Sequence, residues 1–334
     1  MKIKLLAALT ALGISGNTLA AVCTVAEPPN YQTEKLETPA TVIELRADAP
    51  ISPTTPIAQI RSTALSQPVH YFCDSTTLIG NRPIIVPDIY PNYDGMYKTK
   101  IDGIGVKFTT SAPSGGPTGA LPRYNIKYTA DEQEGGGSRY IAPQGIFIAS
   151  FYKLGNVDLN TSYPLQALLF SAGEVGSNNI ENNAVSTYYM NPVQIVSTPV
   201  CKVDSPSPVD FGTVVAAEVR QGVKKPLQFG IECKTDYGSY GVIASIKADS
   251  ATTDGRYIKV RDSKNNEESL FIAITDDKGS AVMVDNSTKI SQTGLKSGQK
   301  ANFGWQAELK KQDGTPYPAP GEFRASAIIT LDVK

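Results

Sequence analysis

The sequence predicts an all-β protein made of two β-sandwich domains. Three observations carry that expectation. Short apolar or alternating segments recur between loops rich in Gly, Pro and Asn, the layout of sandwiches and barrels. No long stretch keeps a 3.6-residue apolar period. The four cysteines fall into two pairs in sequence, Cys23 with Cys73 and Cys201 with Cys233.

The first twenty residues read as a signal peptide. Lys2 and Lys4 make a positive start, Leu5 to Ile14 a short apolar core, and Ala20 supplies the small residue that cleavage needs. The apolar run is too short to span a bilayer. Its removal leaves 314 residues, a length for two domains, with 29 basic against 32 acidic residues, a net charge of −3. No basic field is present, so no nucleic acid is expected as a partner. In an exported chain an even number of cysteines reads as disulfides. Four allow three connectivities. Cys23–Cys73 and Cys201–Cys233 is the choice in which each bond closes a loop inside one domain. Loops of 51 and 33 residues would each stabilise by roughly 4 kcal/mol.

The first domain is expected over residues 21–197. Strands are expected at Ala40–Ala47, Pro68–Cys73, Arg82–Val86, Tyr97–Thr110, Leu121–Ala130, Ile146–Leu154, Tyr163–Ala172 and Thr187–Val196. Gly103 and Gly105 suggest a bulge in the long fourth strand. Residues 198–200, Thr-Pro-Val, are the expected linker, stiffened by proline.

The second domain is expected over residues 201–334. Strand regions fall at Cys201–Val215, Lys225–Lys234, Gly241–Ala248, Arg256–Asp276, Lys300–Lys310 and Glu322–Val333. The last is the clearest. Phe323, Ala325, Ala327, Ile329, Leu331 and Val333 share one face, while Arg324, Ser326, Thr330 and Asp332 share the other; Ile328 is the exception. Pro316 to Gly321 breaks any longer element. An immunoglobulin-type sandwich needs seven strands. Six regions leave one open, apolar edge, which strand addition could fill.

The order of features in this second domain resembles the pilin domain of chaperone–usher fimbriae. Phe211-Gly212-Thr213-Val214 follows the first cysteine, Cys233 ends a strand, Asp276-Asp277-Lys278-Gly279 follows an apolar strand, and Gly321 stands fourteenth from the end. The family usually has an aromatic next to last, where this chain has Val333. Cys73 to Leu78 and Tyr97 to Phe108 are similar to the receptor-binding domain of type 3-like fimbrial tip adhesins, and Ala21-Val22-Cys23 places a cysteine third in the mature chain. The resemblance implies an incomplete sandwich completed by a donor strand. It implies four kinds of partner: a periplasmic chaperone, an outer-membrane usher, an adjacent fimbrial subunit, and a host glycan or matrix protein. The chaperone and subunit would meet the face of Phe323, Ala325, Ala327, Ile329, Leu331 and Val333, with the Lys334 carboxylate held by basic chaperone residues. A whole disulfide-bonded domain stands where shaft subunits carry a short donor segment, which implies a place at the fibre tip.

Catalytic chemistry finds little support. The only histidine is His70, in the strand-like Val69-His70-Tyr71-Phe72, and no G-x-S-x-G, H-E-x-x-H, C-x-x-C or G-x-x-x-x-G-K-[ST] occurs. The acidic pairs Asp131/Glu132, Glu267/Glu268 and Asp276/Asp277 lie in polar turns. No cofactor or metal is expected. Two alternatives remain beside the adhesin: a tip or adaptor subunit that binds no receptor, and a glycan-acting enzyme using two distant carboxylates.

The receptor site is expected in loops far from the linker. If successive strands reverse direction, Pro87–Met96, Asp131–Gln144 and Gly173–Asn183 share the far end. Tyr90, Tyr93 and Tyr140 offer rings to an apolar sugar face. Asp94, Arg139, Asn178, Asn179 and Asn182 offer hydrogen-bonding groups. Asn, Asp and Gly are also ordinary turn residues.

Overall fold

The computed structural model describes residues 24–74, 79–83, 88–114, 119–124, 133–134, 137–142, 144–159, 166–170, 172–180 and 183–334. The signal segment and Cys23 lie outside these residues, and so does the expected Cys23–Cys73 bond. Among the described residues the chain is nearly all strand, with a single short helix at Ala216–Gln221. Among the described residues, four sheets are built from strands before Pro199 and two from strands after it, and none mixes the two parts.

The first core is organised by Ile146–Lys153, which is buried at every position. A strand covered on both faces reads as an apolar run, as Ile146-Phe147-Ile148-Ala149 does. It pairs antiparallel with Ala58–Arg61 on one side and Ile104–Ser111 on the other, from Ile146↔Ser111 to Lys153↔Ile104. Phe147 stacks between Phe108 and Tyr188, with ring centroids 5.8 and 5.2 Å away.

Two expected strands are each divided. Tyr97–Thr110 is a hairpin: Tyr97–Lys98 folds back on Ile104–Ser111, with Tyr97 opposite Val106. Gly103 makes the turn at φ +81°, and a β-carbon there would lie 2.3 Å from the Asn156 carbonyl oxygen. Gly103 therefore reverses the chain where a bulge is expected, while Gly105 lies within the strand, opposite Lys98. Thr187–Val196 is two strands, Asn183–Met190 and Val193–Thr198. Pro192 has no N–H for a ladder. Asn191 instead bonds Thr38, its backbone N to the hydroxyl at 3.2 Å and its Nδ2 to the carbonyl at 2.7 Å. These two strands run parallel to Glu34–Glu37 and Thr41–Arg46, ending at Thr198↔Arg46 beside Pro199.

Several boundaries shift. Among the described residues, Arg82–Val86 shows Ile79–Pro83, Leu121–Ala130 shows Arg123–Tyr124 and Tyr163–Ala172 shows Gln166–Phe170; residues 84–86, 125–130, 163–165 and 171 of these expected strands lie outside the described residues. Glu34–Glu37, Ala58–Arg61, Gly137–Ala142 and Gly173–Ile180 are strands the pattern missed. Their sequences are polar or Gly-rich, and ladder partners distant in sequence hold them in place.

In the second part, Val200–Asp204, Val223–Lys234, Lys300–Lys311, Leu270–Thr275 and Tyr257–Val260 lie side by side, with Ala281–Val282 added to Leu270–Thr275. Ile290–Lys296, Ser239–Ala248 and Ala327–Val333 form a second sheet. The two sheets share one core around Phe229, Phe303 and Trp305, where Trp305 meets Phe229 edge-on at 4.9 Å. Cys201 and Cys233 are directly opposed and bonded, with their α-carbons 4.0 Å apart.

The expected strand Cys201–Val215 stops at Asp204. Residues 205–215 join no strand, and Pro206 and Pro208 remove two backbone donors there. The expected region Arg256–Asp276 is two strands. Ile290–Lys296 was not expected, because its polar residues hide the alternation.

Candidate functional site

The second domain carries an apolar groove of about 1320 Å³. One rim is residues 206–216, with Val209 and Val214 packed against the core and Phe211 buried. The other rim is Tyr317 to Ala327, continuing to Ile329. Ile246, Ile258, Val260 and Leu270 line it from the core. The groove opens because the strand that would follow Asp204 is absent from the ladder.

Ala327–Val333 borders this groove. It pairs antiparallel with Ser239–Ala248 along one edge, from Ala327↔Ala248 to Val333↔Val242. Among the described residues it has no second partner strand. Phe323, Ala327, Ile329 and Leu331 pack against the core yet remain half-buried. Ile328, the exception to the alternation, lies on the outer face at 64% exposure. Ala325 is exposed and Val333 is 36% exposed. Lys334 exchanges two backbone bonds with Gly241, at 2.7 and 2.9 Å.

The expected strand Glu322–Val333 thus begins later, at Ala327. Arg324 exchanges backbone bonds with Arg261 of the first sheet, both at 2.9 Å, while Ser326 already bonds Asp249 beside the second sheet. The segment crosses between sheets near Ala325, where regular pairing is lost.

The rim is braced by polar groups. Asp262 is buried; its Oδ2 accepts the Ala319 N–H at 2.8 Å, and its Oδ1 accepts those of Lys264 and Asn266 at 2.9 and 3.0 Å. The Ala319 bond above all, then that of Asn266, holds this carboxyl below the usual range. Tyr317 receives Arg220 and Lys311 over its ring at 5.6 and 5.2 Å, joining the helix to the far rim.

The expected receptor residues do not converge. Tyr90 and Tyr93 face each other at 5.6 Å in a tight turn that carries the exposed Asp94. They pack on Met96, Tyr152 and Leu154, beside the Lys153 end of the central strand. That end contacts the second domain, through Lys153 to Asp236 at 3.8 Å. The Tyr90 turn is therefore near the linker, contrary to the expected alternation. The reason is the Tyr97 hairpin: Ile104–Ser111 is the direct antiparallel neighbour of Ile146–Lys153, so it starts at the near end.

Asn178 and Asn179 lie on the Gly173–Ile180 strand, opposite Ser186 and Ala184. The partner strand runs from that hairpin end towards Pro199, so these asparagines sit far from the linker. The Asn178 Oδ1 is buried without a hydrogen-bond partner among the described atoms. Arg139 and Tyr140 belong to a strand rather than a loop, opposite Phe72 and Tyr71. Asn182 lies outside the described residues.

The acidic pairs that do lie among the described residues serve as turns and braces. Asp276 accepts the N–H groups of Lys278 and Ser280, and Glu267 is held by Ser250 and Arg261. His70 sits in the strand Val69–Asp74.

Residues 192–334 match the family described as fimbrial protein. No curated protein matches the chain. Among solved structures, the chain is similar to the receptor-binding domain of the plasmid-born adhesin MrkD1P of Klebsiella pneumoniae, at 15% identity over 53% of this chain and 96% of that one, TM-score 0.35. It is similar to the CupB6 tip adhesin from Pseudomonas aeruginosa, at 12% identity over 93% and 94%, TM-score 0.35. It is also similar to a chain of the CsuC-CsuE chaperone–tip adhesion subunit complex of Acinetobacter baumannii, at 11% identity over 93% and 100%, TM-score 0.44. The family match covers the part of the chain that carries the groove.

Proposed function

We propose that this protein is a tip adhesin of chaperone–usher fimbriae. One observation carries the reading: the fimbrial domain has an open groove bordered by Ala327–Val333, whose apolar face is only half covered. Such an edge is completed by strand addition, in which backbone bonds give affinity and alternate side chains fill the groove. A periplasmic chaperone fills it first and an adjacent subunit later, with the usher passing the chain to the surface. The separate first domain contacts a glycan or matrix protein at the fibre tip and catalyses no reaction. Its far end, with Asn178 and Asn179, is where we place that contact.

The test has two arms. Residues 21–197 are applied to an array of glycans and matrix proteins, and saturable binding to one class is expected. The full chain is co-expressed with a fimbrial chaperone, and a stoichiometric periplasmic complex is expected. A complex without any array binding would favour a receptor-free tip subunit; hydrolysis of an arrayed glycan would favour an enzyme.

A further inference from the structure

The two domains are joined covalently by Pro199 alone, between strands Val193–Thr198 and Val200–Asp204. Proline fixes its own φ but not the torsions on either side. A joint of one residue would leave the domains free to swing unless a second contact held them.

That contact is present at the turn between Val223–Lys234 and Ser239–Ala248. Asp236 and Tyr237 belong to this turn of the fimbrial domain, and their bonds cross to the first domain. The Asp236 carboxylate accepts the Ser197 hydroxyl at 2.6 Å and lies 3.8 Å from the Lys153 ammonium. Its backbone carbonyl accepts the Leu159 N–H at 2.5 Å, and the Tyr237 hydroxyl accepts the Ser197 N–H at 2.9 Å. Lys153 also donates to the Ala47 carbonyl at 3.0 Å. Asp236 and Lys153 are both 5% exposed, and Tyr237 packs against the first core. Within its own domain the turn is braced by Thr235, whose N–H bonds the Ser297 hydroxyl and whose hydroxyl accepts the Tyr237 N–H. A rigid, polar knob is thus seated in a socket of the other domain.

We infer that the Asp236–Tyr237 turn is a latch that locks the first domain onto the fimbrial domain as one rigid body. Paired charges this well buried cost much when one partner is removed and specify a single geometry when both are present. Burial pushes the Asp236 carboxyl up, against the Ser197 bond and Lys153, which is the mark of a charge taken out of water. The latch would pass tension from fibre to receptor without bending at Pro199.

The structure supplies its own reporters. The Leu159 and Ser197 amides belong to the first domain, but their acceptors belong to the second. Their hydrogen exchange in the full chain reads opening of the joint. In the wild type both should be protected and should open together. In Asp236→Asn both should exchange faster by roughly tenfold or more, the scale of losing a hydrogen bond to a charged group. Ile148, inside the central strand, should keep its protection. Lys153→Met, made from the other side of the joint, should accelerate the same two amides and decides the matter if Asp236→Asn does not fold. Free-peptide exchange rates at Leu159 and Ser197 in the wild type would overturn the latch. So would acceleration of only one of the two amides, or of neither, in the variants.

Discussion

Single side chains decide whether the groove can accept a strand. Ile329 and Leu331 are half-buried on the groove side of the last strand. Ile329→Asp or Leu331→Asp places a charge where an incoming strand must bury it, at a cost of several kcal/mol. Surface display should be abolished, while binding by residues 21–197 stays intact. Display at wild-type level would mean that the wrong face has been assigned. Asp262 acts by another route. Its carboxylate is held low by backbone N–H groups of the rim. A depressed value stabilises the fold above the unfolded carboxyl value of about 3.9, and that contribution fades as pH falls through the depressed folded value. Asp262→Asn should therefore melt below the wild type at pH 6, and the gap should narrow on acidification below about pH 4. A gap independent of pH would show that the carboxylate charge contributes nothing to the rim.

At the scale of elements, the rim at Gly321 and the far hairpin make separate predictions. Gly321 has φ +128°, and an added β-carbon would lie 3.0 Å from the Ser263 β-carbon. Gly321→Ala should destabilise the domain by about 1–3 kcal/mol, the range for a side chain forced into a sparsely populated backbone region. Thermal melting of the chaperone-bound chain checks this. The first domain offers two ends, so substitutions can tell them apart. Alanine at Asn178 and Asn179 should reduce adhesion with display unchanged. Alanine at Tyr93 and Asp94, on the linker side, should leave it near normal. The reverse result would move the receptor contact to the linker end.

At the scale of the whole molecule, an apolar groove beside a strand with one free edge is a hazard. Such edges pair with other chains when nothing covers them. Expressed without a chaperone, the full chain should aggregate or be degraded. Adding a soluble alternating apolar peptide that fits the groove should raise its melting temperature with concentration, as binding to the folded state alone requires. A monomer that is soluble, fully folded and indifferent to the peptide would contradict an open groove.

Much of the groove could be read in advance. Phe323, Ala327, Ile329 and Leu331 keep to the inner side across the crossing between sheets because both inner faces bound one core, so these residues were legible even where the strand began late; Ala325, at the crossing, and Val333 are exposed. Cys201 and Cys233 paired as expected because two adjacent antiparallel strands bring them face to face. The rim at residues 206–216 was not legible: most of it falls in the strand expected at Cys201–Val215, and only the missing backbone partners after Asp204 made it a rim. The receptor loops were the least legible. Alternating apolar side chains record which face of a strand is buried, a local property that the amino-acid order by itself determines. Strand direction and neighbourhood depend on a turn such as Gly103 and on partners far along the chain. Asn178 lies at the far end, as the alternation of strands predicts, but only the tertiary structure could place Tyr93 beside the linker and Asp236 in the socket between the domains.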